Sequence, residues 1–242
     1  MSGHNKWSKI KHTKGPLDAK RGKIFSKLSR ELTVAAKIGG GDAELNARLR
    51  MVLLKSKQAN MPADTIDRAV KKGVGGGLGT EFEDLVYEIY APEGVAIMAE
   101  ISTDNKNRTA AEIRHILSKN GGSIATSGAV TRLFHRKGQI IIARENADED
   151  RTMEIALEAG AEDFLSEPQG FEIITEPSAF ETVHKAVEEA GIQSESAGVT
   201  CLPDSFVPIS TDAVARIAKI IDLIDEHDDV KDIYSNAQFP EE

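Results

Sequence analysis

Residues 139–202 read QIIIARENADEDRTMEIALEAGAEDFLSEPQGFEIITEPSAFETVHKAVEEAGIQSESAGVTCL, and the order of periodicities in this stretch decides the fold. Residues 139–144, 163–166, 171–175 and 195–202 read as strands. Helical spacing of apolar residues over 150–159 and 179–190 separates the first strand from the second and the third from the fourth. The order β-α-β-β-α-β is the split-βαβ, ferredoxin-like pattern. Downstream lie a short strand at 206–209, a helix at 212–226 and a strand at 230–234, too few strands for a sheet of their own. Upstream, strands at 85–91 and 95–102 joined by Pro92-Glu93-Gly94 precede a helix at 109–119 that Asn120-Gly121-Gly122 closes. The economical solution returns the last stretch to the sheet begun at Leu85 and makes the ferredoxin-like unit an insertion. The C-terminal Phe239-Pro240-Glu241-Glu242 reads as a frayed end.

Nearer the N-terminus, residues 3–14 are short of apolar residues and read as extended, and from Pro16 to Gly73 the period is helical. Over 16–38, Ile24, Leu28, Leu32 and Ala35 recur at spacings of four, four and three, widened by Phe25 and Ala36. Gly39-Gly40-Gly41 ends this helix, Asp42 is placed to cap the next, and Leu45, Leu49, Val52 and Leu53 form the second buried face. Pro62 opens a third helix through Ile66, Ala69 and Val70 that ends at Gly73. The expected fold class is therefore α+β and multidomain: a three-helix bundle (1–79), then two α/β sandwich-type domains, a discontinuous middle one (80–135 plus 205–242) and the inserted ferredoxin-like one (136–204). Gly73, Gly75, Gly76, Gly77 and Gly79 mark a hinge between the first and second.

Charge divides the chain at the same place. Residues 1–79 hold 17 Lys and Arg against 6 Asp and Glu, net +11, whereas residues 80–242 hold 13 against 33, net −20. Such asymmetry points to a polyanion bound by the first part, because the acidic remainder would repel one. Lys6, Lys9, Lys11, Lys14, Lys20, Arg21, Lys23, Lys27 and Arg30 face a single acid, Asp18, in the first thirty residues. Each cation that replaces a condensed counterion on a phosphate gains free energy by ion release. Lys20, Lys23, Lys27 and Arg30 form one helical stripe opposite Ile24, Leu28 and Leu32, while Trp7 and His12 sit among the preceding lysines, where a ring can stack on a base. These residues are the candidate nucleic-acid contacts. They specify phosphate and not base sequence, since no helix-turn-helix, zinc finger or RNA-recognition motif is legible.

A second candidate is the polar loop at 103–109. Asn105, Lys106, Asn107 and Arg108 offer donors to a phosphate or a protein groove; equally, Asn107 or Asp104 is placed to cap the following helix. Other chemistry is poorly supported. The lone Cys201 excludes an intrachain disulfide and a Cys-based zinc site. The six histidines lack metal-ligand spacing, no serine sits in a nucleophile elbow, and the glycine run lacks the ending of a P-loop. Asp222, Asp225, Glu226, Asp228 and Asp229 read as a solvated helix face and turn. No apolar run approaches the length of a membrane span. We expect no catalysis, no cofactor, no metal, no small-molecule substrate and no membrane partner.

Several motifs in register carry a resemblance. Gly3-His4-Asn5-Lys6-Trp7, Ile10-Lys11-His12, Asp18-Ala19-Lys20-Arg21-Gly22-Lys23-Ile24-Phe25, Asn60-Met61-Pro62, Arg68-Ala69-Val70-Lys71-Lys72-Gly73, the loop at 103–109, Ser118-Lys119-Asn120-Gly121-Gly122 and Glu158-Ala159-Gly160-Ala161-Glu162-Asp163 together resemble the YebC/PmpR family over essentially the whole chain. The chain departs from the family pattern at 87–92, where glycines are commoner, and at Thr131-Arg132. The resemblance implies three domains, the third inserted in the second, and no catalysis. It implies a bacterial DNA-binding transcriptional regulator, or alternatively a ribosome-associated translation factor that relieves stalling at proline runs by holding rRNA or tRNA. Mitochondrial relatives resemble translational activators of cytochrome c oxidase. A further alternative is a protein-interaction module that uses the acidic domains. A signature that starts at Gly3 leaves no room for a presequence, so a cytoplasmic location is expected; a monomer is expected as well.

Overall fold

The computed structural model describes residues 17–76 and 82–240, with side chains from residue 22 onward. They form two compact units, Phe134–Asp204 and a larger one from residue 17 to Leu133 that resumes at Ser205. The fold is α+β, with seven α-helices among the described residues.

The larger unit begins with α1 (Leu17–Gly39), α2 (Ala47–Gln58) and α3 (Ala63–Val74). Leu28, Leu32 and Ala35 of α1 close a core with Leu49, Val52, Met61 and Ala69. Leu32 and Leu49 are fully buried, each stabilising the bundle by about 2 kcal/mol. Two expectations need correction. Ile24 is 40% exposed; Phe25 packs against the core in its place, which rotates the apolar stripe by one residue. Asp42 does not cap α2; its Oδ1 accepts from Glu44 N–H in a local turn. Asn46 is the cap, because its Oδ1 accepts from Leu49 N–H while its amide donates to the carbonyls of Ala35 and Gly40, serving two helix ends from one buried side chain. That leaves Leu45 outside the helix and 84% exposed.

The body of this unit starts with β1 (Glu83–Tyr90) and β2 (Ala96–Thr103), antiparallel with Glu83 opposite Thr103. Helix α4 (Lys106–Asn120) ends on Gly121 in the left-handed conformation (φ 80°), which a glycine adopts without strain. After β3 (Ser123–Ile124) the chain leaves for the insertion. It returns through β8 (Val207–Pro208), α7 (Thr211–Asp225), β9 (Val230–Ser235) and β10 (Ala237–Gln238). Strand β9 pairs antiparallel with β2, so the last stretch does rejoin the first sheet, whose order is β3-β1-β2-β9. Ile89, Ile97, Ile101, Ile113, Leu117, Ile217, Ile220 and Ile224 form its core. Phe239 packs against that core, so the tail is not frayed at this residue. The two departures from the family pattern meet: the buried carboxylate of Glu88 accepts from the N–H groups of Gly128, Val130 and Thr131. Burial would raise the Glu88 carboxyl, but these bonds overcome it and hold the group low.

The smaller unit runs β4 (Phe134–Ala143), α5 (Glu149–Glu158), β5 (Asp163–Glu167), β6 (Gly170–Thr175), α6 (Phe180–Glu189) and β7 (Ser196–Pro203). Its sheet is antiparallel throughout with order β5-β6-β4-β7, the ferredoxin-like arrangement. Gly138 is required by packing, since a Cβ there would lie 2.1 Å from Thr175 Oγ1. Cys201 is a buried thiol on β7 outside any disulfide, and His184 stacks on Phe180.

Candidate nucleic-acid interface

Of the candidate contacts, Lys6, Trp7, Lys9, Lys11, His12 and Lys14 lie outside the described residues, as do the side chains of Lys20 and Arg21. The other three members of the stripe are not free. Lys23 Nζ lies 3.4 Å from Glu226 Oε2, and Lys27 Nζ lies 3.7 Å from Asp225 Oδ1 while donating to the Asp225 carbonyl. Burial lowers the Lys27 ammonium, opposed by Asp225, Asp232 and Asp228. Arg30 donates to Asp229 Oδ1 at 2.8 Å and to the Asp228 carbonyl at 3.1 Å, and its guanidinium lies 5.5 Å from the centre of the Phe82 ring. The stripe expected to face a polyanion in the free protein instead faces the acidic end of α7 and the turn into β9.

Asp229 is the hub. Its side chain is 3% exposed, and besides Arg30 it accepts from Arg108 Nη2 at 2.7 Å, with the hydroxyls of Thr109 and Thr103 at 2.7 and 3.2 Å. Burial would raise this carboxyl; the bonds from Arg108, Thr109 and Arg30 override it and hold the pKa at about 2. The Asp229 carbonyl also accepts from Ser102 N–H, which fixes the turn against the end of β2. The reading of Asp229 as solvated is thereby corrected.

This hub also accounts for most of the polar loop at 103–109. Asn105 caps α4, accepting from Arg108 N–H at 3.1 Å, so the cap is neither Asn107 nor Asp104. Asp104 pairs with Arg108 at 3.0 Å and Lys106 with Glu83 at 3.5 Å. Arg108 spans Asp104 and Asp229, and its charge is already matched. Asn107 is exposed.

Two more pairs complete the junction of bundle and body: Arg48 with Asp84 at 2.9 Å and Lys55 with Asp232 at 2.7 Å. Lys231 also reaches Asp84, at 3.3 Å. Burial raises the Glu31 carboxyl nearby, opposed by Lys55. The bundle and the body keep separate apolar cores, so charge and hydrogen bonds carry much of the contact between them. Partly exposed pairs of this kind contribute about 1 kcal/mol or less each.

Lys57, Lys71 and Lys72 are exposed and make no ion pair among the described residues. The hinge glycines divide. Gly73 lies within α3, buried, where a Cβ would come 2.4 Å from the Thr33 carbonyl oxygen, so its role is a close helix contact. Gly75 follows as the C-cap and Gly76 takes φ 73°, while Gly77 and Gly79 are outside the described residues. Among the described residues no three His, Cys, Asp or Glu side chains are grouped to hold a metal ion, and no helix is long and apolar enough to cross a membrane.

A basic three-helix bundle, joined by ion pairs to an acidic α+β body that carries a ferredoxin-like insertion, defines a class of charge-divided multidomain proteins. Residues 5–76 match the model of the TACO1/YebC protein N-terminal domain, and residues 82–237 that of the TACO1/YebC second and third domain. The chain belongs to the TACO1/YebC family. It is 51% identical over its whole length to a probable transcriptional regulatory protein of Desulforapulum autotrophicum, covering 98% of that protein. It is 47% identical, again over its whole length, to a probable transcriptional regulatory protein of Treponema pallidum, of which it covers 99%. The crystal structure of a conserved hypothetical protein from Aquifex aeolicus superposes with a TM-score of 0.81 at 42% identity, over 93% of each chain.

Proposed function

We propose that this chain is a non-enzymatic regulatory protein of the cytoplasm that binds nucleic acid through its basic N-terminal part, as a DNA-binding transcriptional regulator. The observation that carries the reading is the charge division, +11 on residues 1–79 against −20 on the remainder. The names of the Desulforapulum and Treponema relatives agree with it. The binding surface comprises Lys6, Trp7, Lys9, Lys11, His12, Lys14, Lys20, Arg21, Lys23, Lys27 and Arg30, joined on the bundle by Lys57, Lys71 and Lys72. The protein acts as a monomer of three domains (1–79, 80–135 plus 205–242, 136–204), with no cofactor, small-molecule substrate or membrane partner.

The second reading is a translation factor that holds ribosomal RNA. The predominance of lysine among these cations favours it, because an ammonium recognises a phosphate as a point charge and leaves the base unread. Sequencing the nucleic acid crosslinked to the protein in cells decides between them. Promoter fragments support transcriptional regulation, and ribosomal RNA supports the translation factor. With about six phosphates contacted, log affinity falls with log salt at a slope of roughly −5, a loss of about 10³-fold between 50 and 200 mM salt. A slope near zero rejects both readings.

A further inference from the structure

Helix α7 carries two of its three acids at the wrong end. Asp222 and Asp225 lie in the last turn, Glu226 is the C-cap, and no basic residue lies in that turn. The C-terminus is the negative end of the helix macrodipole, where anions are disfavoured and unsatisfied carbonyls point outward. No base in the last turn of α7 offsets this. Helix α1 supplies what is missing: Lys23 reaches Glu226, Lys27 reaches both the carboxylate and the carbonyl of Asp225, and Arg30 reaches the Asp228 carbonyl. A row of carboxylate and carbonyl oxygens thus lies along a row of cations, which is what a phosphate backbone would present to the same stripe.

The pairs differ in how readily they part. Asp229, with a side chain 3% exposed and two guanidinium partners, is a fixed pivot. Lys23 and Glu226 are 54% and 46% exposed and Asp225 is 58% exposed, so solvent and salt reach these groups, whereas Lys27, 18% exposed, is covered until the turn moves away.

We infer that the turn Asp225, Glu226 and Asp228 is an internal competitor for nucleic acid: it occupies Lys23 and Lys27 in the free protein, and a phosphate backbone takes those lysines by displacing it. The inference rests on the nucleic-acid reading proposed above. It assigns a purpose to acids that the helix itself disfavours, and it makes the affinity of the full chain lower than its cation count implies.

The test compares the full chain with Asp225→Asn/Glu226→Gln/Asp228→Asn. The control variant Asp150→Asn/Glu154→Gln/Glu158→Gln removes the same number of charges from the exposed face of α5. Fluorescence anisotropy is read with a random-sequence duplex DNA of about 30 base pairs and a single-stranded RNA of about the same length, between roughly 50 and 200 mM salt. The α7 variant should bind about tenfold tighter or better with an unchanged duplex salt slope, because Lys23 and Lys27 meet phosphate in both proteins and only the competing acids are removed. The control should change affinity by no more than about twofold if only distant field effects act. Neutralising acids at a helix C-terminus does not threaten the fold, which circular dichroism confirms. Binding by the α7 variant alone also supports the inference. Equal gains in both variants, or no gain over a measurable wild-type affinity, overturn it while leaving nucleic-acid binding intact. No binding by any of the three proteins to either probe overturns the proposed function and the inference together.

Discussion

Helix α1 has two occupied faces. One inserts Leu28, Leu32 and Ala35 into the bundle core; the other sets Lys23, Lys27 and Arg30 against Glu226, Asp225 and Asp229. Both faces remove surface from water, yet by different forces. Apolar burial is non-directional and insensitive to moderate salt, whereas an exposed ion pair is weak, directional and screened within about 10 Å at 0.1 M salt. The apolar face therefore holds α1 in the bundle permanently, and the charged face holds it on the body conditionally. Only a buried carboxylate such as Asp229 departs from this division, since its partners and its burial act together.

Three measurements sharpen the comparison. Leu32→Ala should cost about 3–5 kcal/mol, read as a lower urea midpoint, and the loss should be the same at low and high salt. A strongly salt-dependent loss would mean that the two faces are not independent. Asp229→Asn should cost about 2–3 kcal/mol, because two guanidiniums lose the charge they converge on. This substitution also alters the acid limb. The folded pKa of Asp229 is depressed to about 2 from 3.8, so its contribution is fully present above the unfolded value and is lost as pH falls through the folded one. Wild type should lose about 2 kcal/mol between about pH 4 and pH 2 that the variant has already lost. Parallel pH profiles for the two proteins would remove Asp229 from its place as hub. The smallest effect belongs to Glu226→Gln, under about 1 kcal/mol and vanishing in about 1 M salt. A larger, salt-resistant loss would contradict a readily parted edge.

These two faces were also unequally legible in the sequence. Leu28, Leu32 and Ala35 announce themselves by spacing, as does the β-α-β-β-α-β order, because periodicity is a local property; the return of residues 230–234 to the first sheet follows only from the last stretch having too few strands of its own. Arg30 and Asp229 are 199 residues apart, and no local pattern links them. The stripe was legible as cationic, and its partner in the free chain was not. One signal was available: acids crowding the C-terminus of a helix with no base among them require an external cation. The loop at 103–109 was only partly legible for a related reason. A dense set of donors implies a buried acceptor, and the acceptor lay in a turn more than a hundred residues downstream. Asn46 shows the limit at short range, since Asp42 and Asn46 are both competent caps and only the direction in which the chain leaves Gly40 selects between them.

The pairing of Phe134 with Pro203 has a consequence for how such a chain can be altered. The ferredoxin-like unit enters and leaves through neighbouring antiparallel strands, whose paired residues stand roughly 5 Å apart. A segment with adjacent ends can be excised and replaced by a tight turn, or transplanted into a hairpin of another protein, without stretching either chain. The insertion is thus free to diverge, shrink or be exchanged on its own evolutionary schedule, while the ladder that joins its two ends keeps the host connection the same length.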